Sequence, residues 1–236
     1  MIAAIVPVHD EEALLATTLL ALTRMAASHQ TDAKEDVRIF VVLDACSDGS
    51  KRIAEMFDVT VLEIEARNVG RARAVGAEAA LAAGARWLAF TDADTCVPLD
   101  WLMKQLCHRA DAFCGQVAVD RFQGRGEGLR ERFQAQYQRT DGHRHIHGAN
   151  LGVSAVAYRA AGGFPALSCH EDVELVRALE RNGARIAWMS EPSVMTSGRV
   201  KGRAEGGFAT FLASLDLGLE TALVQPRRDE NAGCTI

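Results

Sequence analysis

Two aspartates, Asp92 and Asp94, stand two residues apart in the run Thr91-Asp92-Ala93-Asp94-Thr95. In an extended segment residues i and i+2 share a face, so both carboxylates can point the same way. Two such charges repel unless something positive lies between them. A hard divalent cation, Mg²⁺ or Mn²⁺, does this with a few carboxylates and phosphate oxygens. Taken alone the spacing is common, and two solvated loop acids explain it too. Glu171-Asp172 follows His170 and opens a helical stretch. Acids complement a helix N-terminus, so capping accounts for one of them. The other, Asp172, is suited to take a proton from a hydroxyl as a general base. Asp44 follows Val41-Val42-Leu43 and can accept a hydrogen bond from a base or ribose. Its alternative is a turn or helix cap, a role that fits Asp48 better. His143, His145 and His147 alternate along one segment, so they could share a face and hold a metal. Arg144 lies among them, and a polar loop or cleft lining is the competing account. Arg121, Arg125, Arg130 and Arg132 could contact phosphates, but a solvated helix face explains them better.

These candidates need elements that bring them together. Ile2–Val8 is a β-branched apolar run and reads as a buried strand. Acids at 10–12 and apolar residues from Leu14 to Met25 at helical spacing then predict a helix, with a polar linker at 29–36. Strands are expected at 37–43, 59–64 and 86–91, separated by helices at 47–56 and 71–83, the latter closed by Gly84. Strand and helix thus alternate four times in the first 95 residues. That pattern predicts a parallel, doubly wound sheet. Ligands of such sheets bind outside the carboxyl ends of the strands. Residues 9–11, Asp44, Arg67-Asn68, and Asp92 with Asp94 all fall there, and should line one crevice. The second half is less regular. Helices are expected at 99–110, 129–138, near Val156, at 171–182 and at 208–224, and strands at 113–119, near Leu151 and at 185–189.

Composition narrows the class. The 236 residues are 48% hydrophobic and 24% charged, enough for a filled core in one α/β domain. The net charge is −5, with no basic stripe for nucleic-acid phosphates. Six cysteines form no C-x-x-C pair, which favours free thiols in a reducing cytosol over zinc or disulfides. The apolar N-terminus lacks a basic region before it, so it is not read as a signal peptide. No run reaches the ~18 apolar residues of a membrane span. The expected place is the cytoplasm, or the inner face of a membrane at its periphery. The last helix could touch a membrane or the second subunit of a homodimer through Phe208, Phe211, Leu212, Leu215 and Leu219. Core packing is the more frequent explanation of such a face.

Taken in order, these segments resemble family 2 glycosyltransferases of the GT-A fold, over most of residues 1–200. Ile5-Val6-Pro7-Val8-His9-Asp10-Glu11 looks like the family's opening strand and acidic loop. Val42-Leu43-Asp44-Ala45-Cys46-Ser47-Asp48-Gly49-Ser50 is similar to its V-D-D-x-S-x-D-G-T segment, with Leu43 in place of the first Asp. Arg67-Asn68-Val69-Gly70 resembles its N-x-G turn, and Thr91-Asp92-Ala93-Asp94 its D-x-D. Gly148-Ala149-Asn150, Gly162-Gly163-Phe164 and Glu171-Asp172 follow in the family's order.

The resemblance implies a single Rossmann-like GT-A domain over 1–205, with a mostly parallel central sheet flanked by helices. An amphipathic helix at 206–224 would pack on it, before a loose tail at 225–236. It implies a donor of the UDP- or GDP-sugar class, an unnamed acceptor hydroxyl, and Mn²⁺ or Mg²⁺ as cofactor. Asp10 or Glu11, with Asp44, would hold the nucleotide base and ribose, and Pro7 and His9 would belong to the same nucleotide-sugar site. Arg67 or Arg73 would lie near the nucleotide or diphosphate, and Asn68 and Asn150 would line the rest of the nucleotide-sugar site. Asp94 would bind the metal, with Asp92 as second ligand and closer to the ribose or sugar. Asp172 would be the catalytic base, with Glu171 beside it. Transfer would invert the anomeric centre. The Q-x-x-R-W motif of processive synthases is absent, which points to single addition. The segment 196–203 reads either as a basic lid over the diphosphate or as a Gly-rich connector. Two other readings remain: a nucleotidyltransferase on a related sheet, disfavoured by His9-Asp10-Glu11-Glu12 after the first strand, and a non-catalytic scaffold, disfavoured by Asp94 and Asp172.

Overall fold

The central strand, β1 (Ile2–Val8), is buried along nearly its whole length. Its side chains alternate between two faces, as a pleated strand requires. Ile2, Ala4, Val6 and Val8 join one core, with Leu15, Leu19, Leu22 and Met25 of α1 (Leu15–Ala33) and with Trp101 and Leu102 of α4 (Trp101–Cys107). Ala3 and Ile5 join the other, with Ala74, Ala77 and Ala80 of α3 (Val69–Ala82) and four apolar residues of α7 (Glu171–Arg181). A strand covered on both faces must be apolar throughout, which is why it shows no alternation in the sequence. Gly76 lets α3 sit close, since a Cβ there would lie 2.6 Å from Ile5 Cγ2. The computed structural model describes residues 1–119, 122, 128–137, 139–199 and 208–217.

The other strands are β2 (Val37–Asp44), β3 (Thr60–Ile64), β4 (Trp87–Phe90), β5 (Thr95–Cys96), β6 (Ala112–Val119), β7 (Leu151–Ser154) and β8 (Ile186–Thr196). They form one sheet in the order β3-β2-β1-β4-β7-β6-β8-β5. The first four of that order are mutually parallel. β6 and β8 are also parallel, while β7 runs against both β4 and β6, and β5 against β8. The mostly parallel α/β sheet expected from the sequence is therefore present. The chain moves from β1 through β2 to β3 on one side, then returns to place β4 on the other side of β1. This reversal opens a crevice beyond the carboxyl ends of β1 and β4, the place where such sheets bind ligands.

Several boundaries differ from the sequence reading. The expected linker at 29–36 is helical as far as Ala33, and His29 is buried. His29 continues the helical spacing of Leu22 and Met25, and the helix stops only where Lys34 takes a left-handed conformation (φ 55°). β8 runs seven residues past the expected end at Met189, because Glu191 and Ser193 masked its pattern. Along α8 (Phe208–Asp216), Leu212 and Leu215 are buried in the first core. The rings of Phe208 and Phe211 pack edge-on against Phe133 of α5 (Leu129–Gln136). The described part of this helix is thus a core-packing element. Leu219, the tail at 225–236, Arg121, Arg125 and residues 200–203 of the expected lid lie outside the described residues. Among the described residues, no helix is long and apolar enough to cross a membrane.

Candidate active site

Two loops close over the carboxyl ends of β1 and β2. Asp10 accepts hydrogen bonds from Ser47 N (2.7 Å) and Asp48 N (3.3 Å). The Ser47 amide holds the Asp10 carboxyl below its usual range. Glu12 Oε2 accepts from Gly49 N (2.8 Å), and Asp48 Oδ2 accepts from Glu12 N (2.9 Å). The acids of the first loop thus hold the second in place. His9 Nδ1 donates to the Asp44 carbonyl (2.6 Å), which leaves its Nε2 as the ring's other polar atom. Pro7 lies within β1, in register with Val42.

Asp44 departs from the free carboxylate expected at a ligand face. It is buried, and its oxygens accept from Ala66 N, Arg67 N and Asn68 N, each at 2.7 Å. A carboxylate has about four acceptor positions, so the loop's own amides fill most of them. The next loop owes its shape to this anchor. Arg67 takes φ 48°, its side chain is exposed, and Asn68 caps α3 by accepting from Arg71 N (2.8 Å).

Asp92 and Asp94 each face a different arginine. Asp92, with its side chain 38% exposed, accepts from Arg73 Nη2 at 2.5 Å. Asp94 is largely buried and pairs with Arg199 Nη2 at 2.9 Å. The same guanidinium reaches Glu11 Oε1 at 2.6 Å. Burial raises the Asp94 carboxyl to about 6, against the pull of Arg199, and the charges of Asp92 and Glu11 push the same way as burial. Thr95 Oγ1 donates to Asp94 Oδ1 (3.3 Å), and Thr18 Oγ1 holds the turn by donating to the Ala93 carbonyl (2.8 Å). Two buried carboxylates converging on one guanidinium make a corner built for positive charge. Its donors are hard oxygens, which suit Mg²⁺ or Mn²⁺. Asp10, Cys46 and Asp48 also bring ligand atoms within 4.8 Å of one another. There both carboxylates already hold backbone amides, and burial raises the Cys46 thiol away from the thiolate a metal needs.

Glu171 and Asp172 open α7. Asp172 is half-buried, and accepts from Gly148 N (2.7 Å) and from Val173 N (2.8 Å). Two backbone donors fix the orientation of this carboxylate. Glu171 is buried and ion-paired with Arg73 Nη1. Arg73, expected as an alternative to Arg67 near the nucleotide or diphosphate, is buried and paired with both Asp92 and Glu171. Asn150 also departs from the expected ligand lining. It is fully buried, accepts from Trp101 Nε1 (2.9 Å), and donates to the carbonyls of Gln116 (2.8 Å) and Pro192 (2.7 Å). It ties α4, β6 and β8 together behind the crevice.

Comparison with protein families finds a match to "Glycosyl transferase family 2" over residues 3–161. The chain belongs to glycosyl transferase family 2. A search of curated proteins finds no match. Among solved structures, similar ones include Staphylococcus aureus TarS 1–349 in complex with UDP, at 17% identity and TM-score 0.63, covering 84% of this chain and 60% of that one. A mannosyltransferase from Pyrobaculum calidifontis, in complex with GDP-Man and Mn²⁺, shows 19% identity and TM-score 0.60, with coverages of 86% and 58%. A Mycobacterium tuberculosis glucosyl-3-phosphoglycerate synthase with Mg²⁺ and UDP shows 14% identity and TM-score 0.55, with coverages of 94% and 81%. The chain therefore spans about three fifths of the length of the first two. At these identities the likeness shows that this family 2 chain has their fold.

One part of the family 2 chain is built differently from the sequence reading. His143, His145 and His147 do share a face, but as a buried stack of rings. The Tyr137 ring lies 4.4 Å from His145, and the His143–His145 and His145–His147 centroids are 5.5 Å and 6.2 Å apart. Tyr137 Oη meets His147 Nε2 at 2.8 Å, and His143 Nε2 donates to the Met189 carbonyl at 3.0 Å. Burial lowers His145 to about 4 and His147 to about 3, so the stack is neutral near pH 7. Both His143 nitrogens and His147 Nε2 have protein partners, His145 Nδ1 is buried with none, and the three do not come together as a metal-holding group among the described residues. Sequence reasoning missed Arg199 as an individual, having seen only a basic segment. It also missed Glu11 as the partner of that arginine. An acid just beyond a first strand and a basic residue beyond a last one are the only signals that pointed to the pair.

Proposed function

We propose that this chain transfers a sugar from a nucleoside diphosphate sugar to an acceptor hydroxyl, with inversion and by single additions. The observation that carries this reading is the position of Asp172. Its carboxylate is held by two backbone amides and is half-open to solvent, and its neighbour Glu171 shares Arg73 with the partly exposed Asp92. Asp172 takes the proton of the acceptor hydroxyl. The hydroxyl oxygen then forms a bond to the anomeric carbon while the bond from that carbon to the diphosphate oxygen breaks, and its electron pair leaves with the diphosphate. Exposed Arg67 at the mouth and His9 beside the first loop would meet the nucleotide, and Asp92 the ribose or sugar. Asp10 and Asp44 act by shaping those loops.

Asp94, with Glu11 beside it, would hold a divalent cation, which when bound neutralises charge on the diphosphate. Two of the structures compared above carry Mn²⁺ or Mg²⁺ together with a nucleotide, which supports this cofactor class. The test is a thermal-shift panel of nucleoside diphosphates and nucleotide sugars, with and without Mn²⁺. One nucleotide class should raise the melting temperature only when Mn²⁺ is present. No response to any nucleotide would overturn the proposal. Asp172→Asn should keep that response and abolish transfer, and transfer near the wild-type rate would remove Asp172 from its role.

A further inference from the structure

Arg73 is buried, and its guanidinium lies against Asp92, Glu171 and Gly148 at once. Nη2 donates to Asp92 on the donor side. Nη1 pairs with Glu171, the neighbour of Asp172. Its flat face lies against Gly148, where a Cβ would collide with the guanidinium carbon and both terminal nitrogens. Gly148 in turn donates its amide to Asp172. The far side of the guanidinium lies 5.9 Å from the Phe164 ring centroid, a cation–π contact. Nε is buried without a partner, a cost accepted so that both ends of the fork can reach an acid.

A lysine has a point charge and cannot hold two carboxylates in one plane, whereas a guanidinium can. We infer that Arg73 is a positioning residue that sets Asp172 in fixed relation to Asp92, and so couples base placement to the donor side. This rests on the reading of Asp172 as the base. Gly148 must then be glycine because the guanidinium passes where its side chain would be. The arrangement also separates the two acids of α7. Glu171 holds the helix end against Arg73, and Asp172 is left to face the crevice.

The first test needs no substrate. In Arg73→Lys, hydrogen exchange of the Gly148 amide should quicken at least about tenfold relative to the Ile5 amide in the central strand. Equal protection of Gly148 in the two proteins would overturn the inference. The second test follows release of UDP from UDP-glucose, or GDP from GDP-mannose, with water as acceptor and Mn²⁺ present. Arg73→Lys and Gly148→Ala should each lower kcat about 100-fold, the scale of an ångström misplacement, with the donor KM within about threefold. The double variant should lose little more than either single one. A rise in KM at unchanged kcat, or additive losses, would overturn it. Asp172→Asn serves as the control. If that variant keeps its kcat, the base assignment falls and the inference falls with it. If it loses activity while Arg73→Lys does not, only the coupling falls.

Discussion

Truncating Asn150 to alanine tests whether this side chain is a structural tie or a ligand contact. The variant takes the Asn150 partner from three buried groups: the Trp101 indole N–H and the carbonyls of Gln116 and Pro192. An unsatisfied buried group costs about 1–3 kcal/mol, so the gross loss is at most about 3–9 kcal/mol. The vacated volume is lined by those same polar groups, and a water with two to four partners can enter it. That recovery places the net loss near the lower end, at about 3 kcal/mol. In a chain of this size, 1 kcal/mol moves the melting temperature by about 2–4 °C, so a fall of about 6–12 °C is expected. Asn150→Asp should cost more, because it sets a carboxylate against two carbonyls. The assay is thermal and urea unfolding, followed by tryptophan fluorescence, since Trp101 itself reports on the tie. The increment added by a nucleotide with Mn²⁺ is measured in parallel and should survive. A melting temperature within about 3 °C of wild type, combined with loss of the nucleotide increment, would refute the reasoning and return Asn150 to the donor site.

Asp44→Asn should destabilise by about 1.5–3 kcal/mol, since its amide NH₂ must face one of three backbone N–H groups and a charge-assisted bond is lost; unfolding at unchanged denaturant midpoint would contradict this. Stability should fall as pH drops from about 6.5 towards 4, because His145 and His147 are held neutral in the fold while the unfolded chain takes up protons there. Asp94, raised to about 6, contributes in the opposite sense, with stability present at low pH and lost as pH rises through 6, but two more strongly shifted histidines outweigh it. A pH titration of the unfolding midpoint, flat or rising on acidification, would refute the buried ring stack. Arg199→Gln removes the cation between Glu11 and Asp94 and should let the free protein bind Mn²⁺ more tightly in an electron paramagnetic resonance titration. A competition worth about 1.4 kcal/mol would appear as a tenfold gain, and equal or weaker binding would remove Arg199 from that corner.

The crevice was legible because strand ends are. β1, β2 and β4 are short apolar runs, and the first polar residue after each falls at the same edge once the strands are parallel. The roles of Asp44, Arg73 and Asn150 were not legible, because their partners are remote. Asn150 is held by Trp101, Gln116 and Pro192, and no local pattern marks such pairings. Asp44 looked like a ligand contact because its type and place were right; only the fold of 66–68 shows its oxygens already taken. The histidines show the reverse. Their alternation correctly put them on one face, but residue type suggested a wet loop, whereas Tyr137, just beyond α5, and Trp188, from remote β8, supply aromatic neighbours.

Gly148 carries a consequence for how this protein can vary. The guanidinium of Arg73 fills the space where a side chain at 148 would stand. Drift at the two places is therefore not independent. A relative that replaces the arginine with something smaller becomes free to carry an alanine or serine opposite it, and one that keeps the arginine does not. Gly115 is constrained in the same way by Asn150, whose amide lies where its Cβ would be. The invariance of a glycine at such places would reflect the side chain across from it rather than any demand of its own backbone.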